Sequence, residues 1–231
     1  MRSNLIFDLD NTLLDFSASE RAGLTKTFAD FGVTDNAQIR AIYEKVNTGL
    51  WAQLERGEIT REQLLARRFN TFLAAIDRSD LPGAEMEHEY RGLLNSGHQR
   101  VPGAKTLLTA LHQNGYTILA GTNGNTATQK QRLHDSHLAP LFDGIYISEE
   151  IGYDKPAPQF FDAIFAHEHE LHKDDTLMIG DGLNSDIRGG VNYGLRTIWV
   201  NLHDQINKTG LQPTLEVHSL NELENKLLAS A

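Results

Sequence analysis

The sequence predicts an α/β protein with a Rossmann-like parallel sheet and an inserted all-helical subdomain. Three observations carry this. Short apolar runs recur and each stops at a polar loop; helix-patterned stretches separate them; and a strand-free block of about 80 residues interrupts the alternation. Leu5-Ile6-Phe7 runs into Asp8-Leu9-Asp10-Asn11-Thr12 and reads as the first buried strand. Residues 116–120, 144–147, 176–179 and 196–200 repeat the pattern. Between them, helical patterns begin at Pro102, span 126–134, 158–169 and 185–193, and close the chain at 220–228. Strands that alternate with helices imply βαβ units and a parallel sheet covered on both faces.

Residues 16–97 lack a strand pattern. Helices are expected over 19–31, 36–49, 60–76 and 84–94, punctuated by Gly57, Pro82-Gly83 and Gly97. The domain reading is therefore a discontinuous core, 1–15 and 98–231, with a helical insertion at 16–97 after the first strand.

Composition narrows the function. Thirty-one acidic against twenty-one basic residues give a formal net charge of −10, which argues against coating nucleic acid. The absence of cysteine excludes disulfides and thiolate chemistry. No apolar run approaches the roughly 18 residues of a membrane span, and residues 1–8 lack the apolar core of a signal peptide, so a cytoplasmic location is expected. No obligatory protein partner is evident.

The chemistry gathers at expected strand ends. Asp8 and Asp10 follow the first strand, Thr122 and Asn123 another, Asp181 a third, and Lys155 precedes a helix. In an open parallel sheet, ligands bind where such ends converge. Residues two apart in extended chain project to one side, so Asp8 and Asp10 would repel unless a cation or a shared proton intervened. With Asp181 they form an all-oxygen set suited to a hard ion such as Mg²⁺. Thr122, the amides after it and Lys155 could hold phosphate oxygens. Each feature alone also suits a solvated turn, a cap or a surface lysine; their ordered placement along the chain favours a phosphoryl-transfer site.

Phe7-Asp8-Leu9-Asp10-Asn11-Thr12-Leu13, Thr122-Asn123-Gly124, Lys155-Pro156 and Gly180-Asp181 through Asp186 resemble, in order, the four motifs of the haloacid dehalogenase-like superfamily. The resemblance implies a Rossmann-like core with a helical cap, and it implies roles. Asp8 would be the nucleophile that forms an aspartyl-phosphate, and Asp10 the acid and then the base. Asp8, the backbone carbonyl of Asp10 and Asp181 would bind Mg²⁺, with Mn²⁺ as a substitute. Thr122, the amide of Asn123 and Lys155 would hold the phosphate, and Asp186 would orient metal waters or Lys155. Members that cleave carbon–halogen bonds lack the second aspartate of the first motif; Asp10 therefore favours phosphate chemistry.

Tyr43–Asn47, Gly49-Leu50-Trp51, Gly57-Glu58-Ile59-Thr60, Arg67-Arg68-Phe69 and Ile147–Gly152 are similar to the bacterial pyrimidine 5′-nucleotidases of this superfamily. That likeness implies a small phosphorylated substrate, a nucleoside 5′-monophosphate, split to nucleoside and phosphate. Asn47 is a candidate for bonding the base or sugar. Trp51 or Phe69 is a candidate for stacking, against the alternative that both are cap core. Arg67 and Arg68 are expected in solvent or paired with acids such as Glu62. Alternative readings are a sugar-phosphate or phosphoglycolate-type phosphatase or phosphomutase, and a non-catalytic module that binds a phosphorylated ligand. The His167-x-His169-x-x-His172 spacing points its rings in different directions on a helix and is not read as a metal site.

Overall fold

The computed structural model describes residues 4–229. Its elements are β1 (Asn4–Phe7), α1 (Phe16–Asp30), α2 (Ala37–Glu55), α3 (Arg61–Ala75), α4 (Gly83–Ser96), α5 (Ala104–Gln113), β2 (Thr117–Thr122), α6 (Thr126–Asp135), β3 (Gly144–Ile147), α7 (Ser148–Ile151), α8 (Pro158–His167), β4 (Thr176–Gly180), α9 (Arg188–Tyr193), β5 (Arg196–Val200), β6 (Leu215–Val217) and α10 (Leu220–Ala229). Contacts divide the chain into two units, residues 1–16 with 98–231, and residues 17–97.

The first unit is built on a sheet of six parallel strands in the order β3-β2-β1-β4-β5-β6. Central parallel strands are buried on both faces, which is why they read as unbroken apolar runs. Leu5, Phe7, Ile118, Ala120, Leu177, Ile179, Ile198 and Val200 face one layer, filled by leucines of α5, α6 and α10. Ile6, Leu119 and Met178 face the other, where Phe160, Phe161 and Ile164 of α8 pack. Phe7 of β1 is level with Ala120 of β2 and Ile179 of β4, so the three carboxyl ends finish side by side. Chain order reverses about β1, which makes this the topological switch point of the sheet.

Details of this unit differ from the sequence reading. The edge strand β6 is absent from it, because Leu-Glu-Val is too short to show a period. The segment before Tyr193 is not one helix: a wide turn over Leu183–Ile187 precedes α9. The helix expected over 158–169 ends at His167, so His169 and His172 lie beyond it, and His167 Nδ1 is 2.9 Å from the Tyr146 hydroxyl.

The second unit holds α2, α3, α4 and nearly all of α1. Helix α2 continues past Gly49, where a stop was expected, to Glu55. A mid-helix glycine costs about 1 kcal/mol, whereas burying a leucine contributes roughly 1.5–3 kcal/mol. Leu50 is buried against Ile59 and Leu64, with Val46, Trp51 and Leu54 packed around them. Asn36 caps α2, and a Thr60–Gln63 capping box starts α3.

Of the two expectations for Arg68, solvent or an acidic partner, the second describes it, with Glu87 in the place of Glu62. Its guanidinium is buried, donates to both carboxylate oxygens of Glu87 at 2.9 and 2.7 Å, and lies 4.9 Å from the centre of the Tyr90 ring. Position 68 falls on the same face of α3 as Leu64 and Phe72, four residues to either side, so the helix carries the charge inward. Breaking such a pair leaves one uncompensated charge and costs about 3–5 kcal/mol, whereas replacing both partners is often neutral. Glu87→Leu should therefore lower the unfolding free energy by that amount, read as a lower urea midpoint at unchanged slope, and the double variant Arg68→Met/Glu87→Leu should regain most of it. Equal midpoints for wild type and Glu87→Leu would contradict this account of the unit.

Candidate active site

The site residues of the first unit sit at the carboxyl ends of β1, β2 and β4. Asp8 immediately follows β1, and its backbone N–H donates to the carbonyl of Ile179 at 2.8 Å, extending the sheet by one residue. Asp181 immediately follows β4. Thr12, fully buried in the turn after β1, holds Asp181: its hydroxyl accepts from the Asp181 N–H at 3.0 Å, and the Trp199 indole N–H donates to the Asp181 carbonyl at 2.9 Å. Asp186 folds back so that its Oδ2 accepts from the Gly182 N–H at 2.9 Å. This needs a glycine at 180, where a Cβ would fall 2.2 Å from Asp186 Oδ2.

Lys155 reaches the same point from the loop before α8. Its buried ammonium lies 2.7 Å from Asp8 Oδ1 and 2.6 Å from Asp186 Oδ1, and it donates to the Gly121 carbonyl at 2.5 Å. Asn123 fixes the loop by a reciprocal pair: its side-chain amide donates to the Lys155 carbonyl at 2.8 Å, and its Oδ1 accepts from the Lys155 N–H at 2.7 Å. The Asn123 side chain thus serves to hold the Lys155 backbone. The Thr122 hydroxyl is buried and accepts from Gln129 Nε2 at 2.9 Å.

Asp8, Asp181 and Asp186 each place a carboxylate oxygen within 4.8 Å of the others. The Asp10 side chain does not join them: Oδ2 accepts from Gln129 Nε2 at 2.8 Å, and Oδ1 pairs with Arg132. The three-carboxylate set read from the sequence therefore changes membership, with Asp186 in the place of the Asp10 side chain. What draws it away is α6, where Gln129 and Arg132 bond its two oxygens.

The electrostatics follow from burial. Desolvation pushes the Asp8 carboxyl up to about 7, opposed by the Lys155 ammonium and reinforced by Asp186 and Asp10. Burial, then the Asp8 and Asp186 carboxylates, drive Asp181 well above the ordinary carboxylate range. Burial acts to lower Lys155, but Asp186 and Asp8 outweigh it and hold the amine charged, above its ordinary value. A single ammonium among three carboxylates leaves two negative charges without a counter-charge. This is the donor set that a hard, oxygen-seeking dication fits. Among the described residues no other group of three or more acidic or histidine side chains has this arrangement.

Asn47 and Trp51, the cap candidates, lie on α2. The Asn47 amide accepts from Arg68 at 3.3 Å and donates to Glu20 at 3.4 Å, so it belongs to the polar network around Arg68. Trp51 is half-buried against the Leu50, Ile59 and Leu64 cluster. Phe69 is wholly inside, its ring 5.6 Å from Tyr43 and 5.4 Å from Tyr90. The sequence reading missed Thr12, Gln129 and Arg132. Only Gln129-x-x-Arg132, polar residues three apart on the face of α6 that also carries buried Leu133, offered a signal for two of them.

Comparison with known proteins agrees with this geometry. The family description haloacid dehalogenase-like hydrolase matches residues 3–194. The pyrimidine 5′-nucleotidase PynA of Streptococcus pneumoniae is 39% identical over 219 residues, covering 95% of this chain and 92% of PynA. The pyrimidine 5′-nucleotidase YjjG of Escherichia coli is 35% identical over 223 residues, covering 96% of each. The crystal structure of the HAD-hydrolase YfnB of Bacillus subtilis, bound to magnesium, superposes with a TM-score of 0.91 at 37% identity, over 98% of this chain and 99% of YfnB. With four motifs in order, the expected parallel sheet and relatives along nearly its full length, the chain belongs to the haloacid dehalogenase-like hydrolases.

Proposed function

We propose that this protein is a Mg²⁺-dependent phosphatase that hydrolyses nucleoside 5′-monophosphates, pyrimidine ones in particular, through an aspartyl-phosphate on Asp8. The observation that carries the reading is the buried Lys155 ammonium set between Asp8 and Asp186 beside Asp181, at the switch point of the sheet. The names of PynA and YjjG support the substrate class.

Asp8, Asp181 and Asp186, with the backbone carbonyl of Asp10, are the groups that would hold the ion. When bound, Mg²⁺ offsets the repulsion between an anionic nucleophile and an anionic phosphate. Lys155, the Thr122 hydroxyl and the N–H of residue 123 receive the phosphoryl oxygens. An Asp8 carboxylate oxygen forms a bond to phosphorus while the ester P–O bond breaks, and Asp10 gives its proton to the departing alkoxide. In the second step Asp10 takes a proton from water, the water oxygen bonds to phosphorus, and the bond to Asp8 breaks. A carboxylate fixed in line outcompetes dilute water for the first attack by orientation alone.

Replacing Asp8 by Asn should cut phosphate release by more than about 1,000-fold with the fold intact; full activity in Asp8→Asn would refute the reading. A screen of kcat/KM across nucleoside monophosphates and sugar phosphates tests the substrate: pyrimidine 5′-nucleotides should lead, and a preference for sugar phosphates would replace the nucleotide reading with a sugar-phosphate one. Stability gives a test that needs no substrate. A carboxyl raised to about 7 in the fold contributes stability that is whole below about pH 4 and is lost as pH rises through 7. The Tm of the metal-free protein should fall between pH 5 and pH 8, and saturating Mg²⁺ should raise it more at pH 8 than at pH 5. An increment independent of pH, or none, would contradict the proposed ion site.

A further inference from the structure

Helix α6 carries two buried polar side chains, Gln129 and Arg132, that touch the reacting groups without being read as part of them. They lie three residues apart, hence on one face of the helix. Gln129 Nε2 donates to Asp10 Oδ2 at 2.8 Å and to the Thr122 hydroxyl at 2.9 Å. Gln129 Oε1 accepts from Arg132 Nη1 at 3.0 Å, and the same nitrogen pairs with Asp10 Oδ1. The amide orientation is settled by these partners, since Asp10 and Arg132 together admit only one placement of its nitrogen and oxygen. The Arg132 guanidinium also lies 5.4 Å from the centre of the Phe16 ring. Backbone geometry makes room for the set: Asn125 caps α6, and at Gly124 a Cβ would fall 2.6 Å from Gln129 Cγ.

We infer that Gln129 and Arg132 are positioning residues, which hold the Asp10 carboxyl for proton transfer and the Thr122 hydroxyl for the phosphoryl group. The inference rests on the phosphatase reading and extends it to α6. Each Asp10 oxygen accepts from the helix and keeps a second lone-pair site for the travelling proton. The Thr122 oxygen accepts from Gln129, so its own hydrogen is left to donate to an incoming phosphoryl oxygen. One amide therefore ties the acid–base group to the phosphate grip, and orientation of this kind weighs on the rate more than on stability.

The test uses the leaving group. A nucleoside alkoxide must be protonated as it departs, whereas p-nitrophenolate leaves without help, and kcat/KM reports the step in which the ester bond breaks. For wild type, Gln129→Leu and Arg132→Lys, kcat/KM is measured with the best alkyl monoester of the screen above and with p-nitrophenyl phosphate. The ratio of the two is independent of how much of a variant is folded. Gln129→Leu should lower the alkyl value by about 10- to 100-fold more than the aryl value, in keeping with the 10²–10⁴-fold range of general acid–base catalysis. Arg132→Lys, which keeps the cation, should lose less. A ratio unchanged from wild type in both variants would overturn the inference and assign α6 a structural role only. A wild-type protein that cleaves neither ester would remove the phosphatase reading and this inference with it, so the two failures are distinguishable.

Discussion

The constraint on which the rest depends is the placement of one buried ammonium among three carboxylates, two of them buried with it. Lys155 lies within 2.7 Å of Asp8 and 2.6 Å of Asp186, and Asp181 completes the cluster. Charges so placed cannot all be ionised without a further cation, and burial has already driven Asp8 and Asp181 upward. The arrangement is costly for an empty fold and useful for a site: the repulsion that disfavours it unliganded is what a dication and then a phosphate relieve.

Topology supplies the placement. Reversal of strand order about β1 brings the ends of β2, β1 and β4 together, so residues more than 170 positions apart, Asp8 and Asp181, become neighbours. The loops then aim the side chains. Thr12 ties the β1 turn to Asp181, Asn123 ties the β2 loop to Lys155, and Gly180 lets Asp186 approach the backbone. Gln129 and Arg132 do for Asp10 from α6 what Asn123 does for Lys155.

The parts of this that were legible in the sequence share one property: their signal is local. Buried parallel strands show as apolar runs and strand-end carboxylates as the polar residues that stop them, so the α/β class and the positions of Asp8, Asp10, Thr122 and Asp181 could be read directly. What tertiary packing decides could not. The Asp10 side chain turns to α6 because Gln129 and Arg132 there bond both of its oxygens; Arg68 is buried because α3 rotates it inward beside Glu87; β6 forms because β5 offers it an edge. Thr12, buried and bonded to Asp181, is an ordinary threonine in sequence, and only its partner gives it a function.

The most direct test of the charge argument is a calorimetric titration of the metal-free protein with Mg²⁺ near pH 7 in two buffers of different ionisation enthalpy. If the carboxylates are partly protonated for want of a counter-charge, the ion must displace protons as it binds, and the observed heat must differ between buffers. The account predicts saturable binding with proton release. Absence of saturable binding, or a heat that is the same in both buffers, would contradict it.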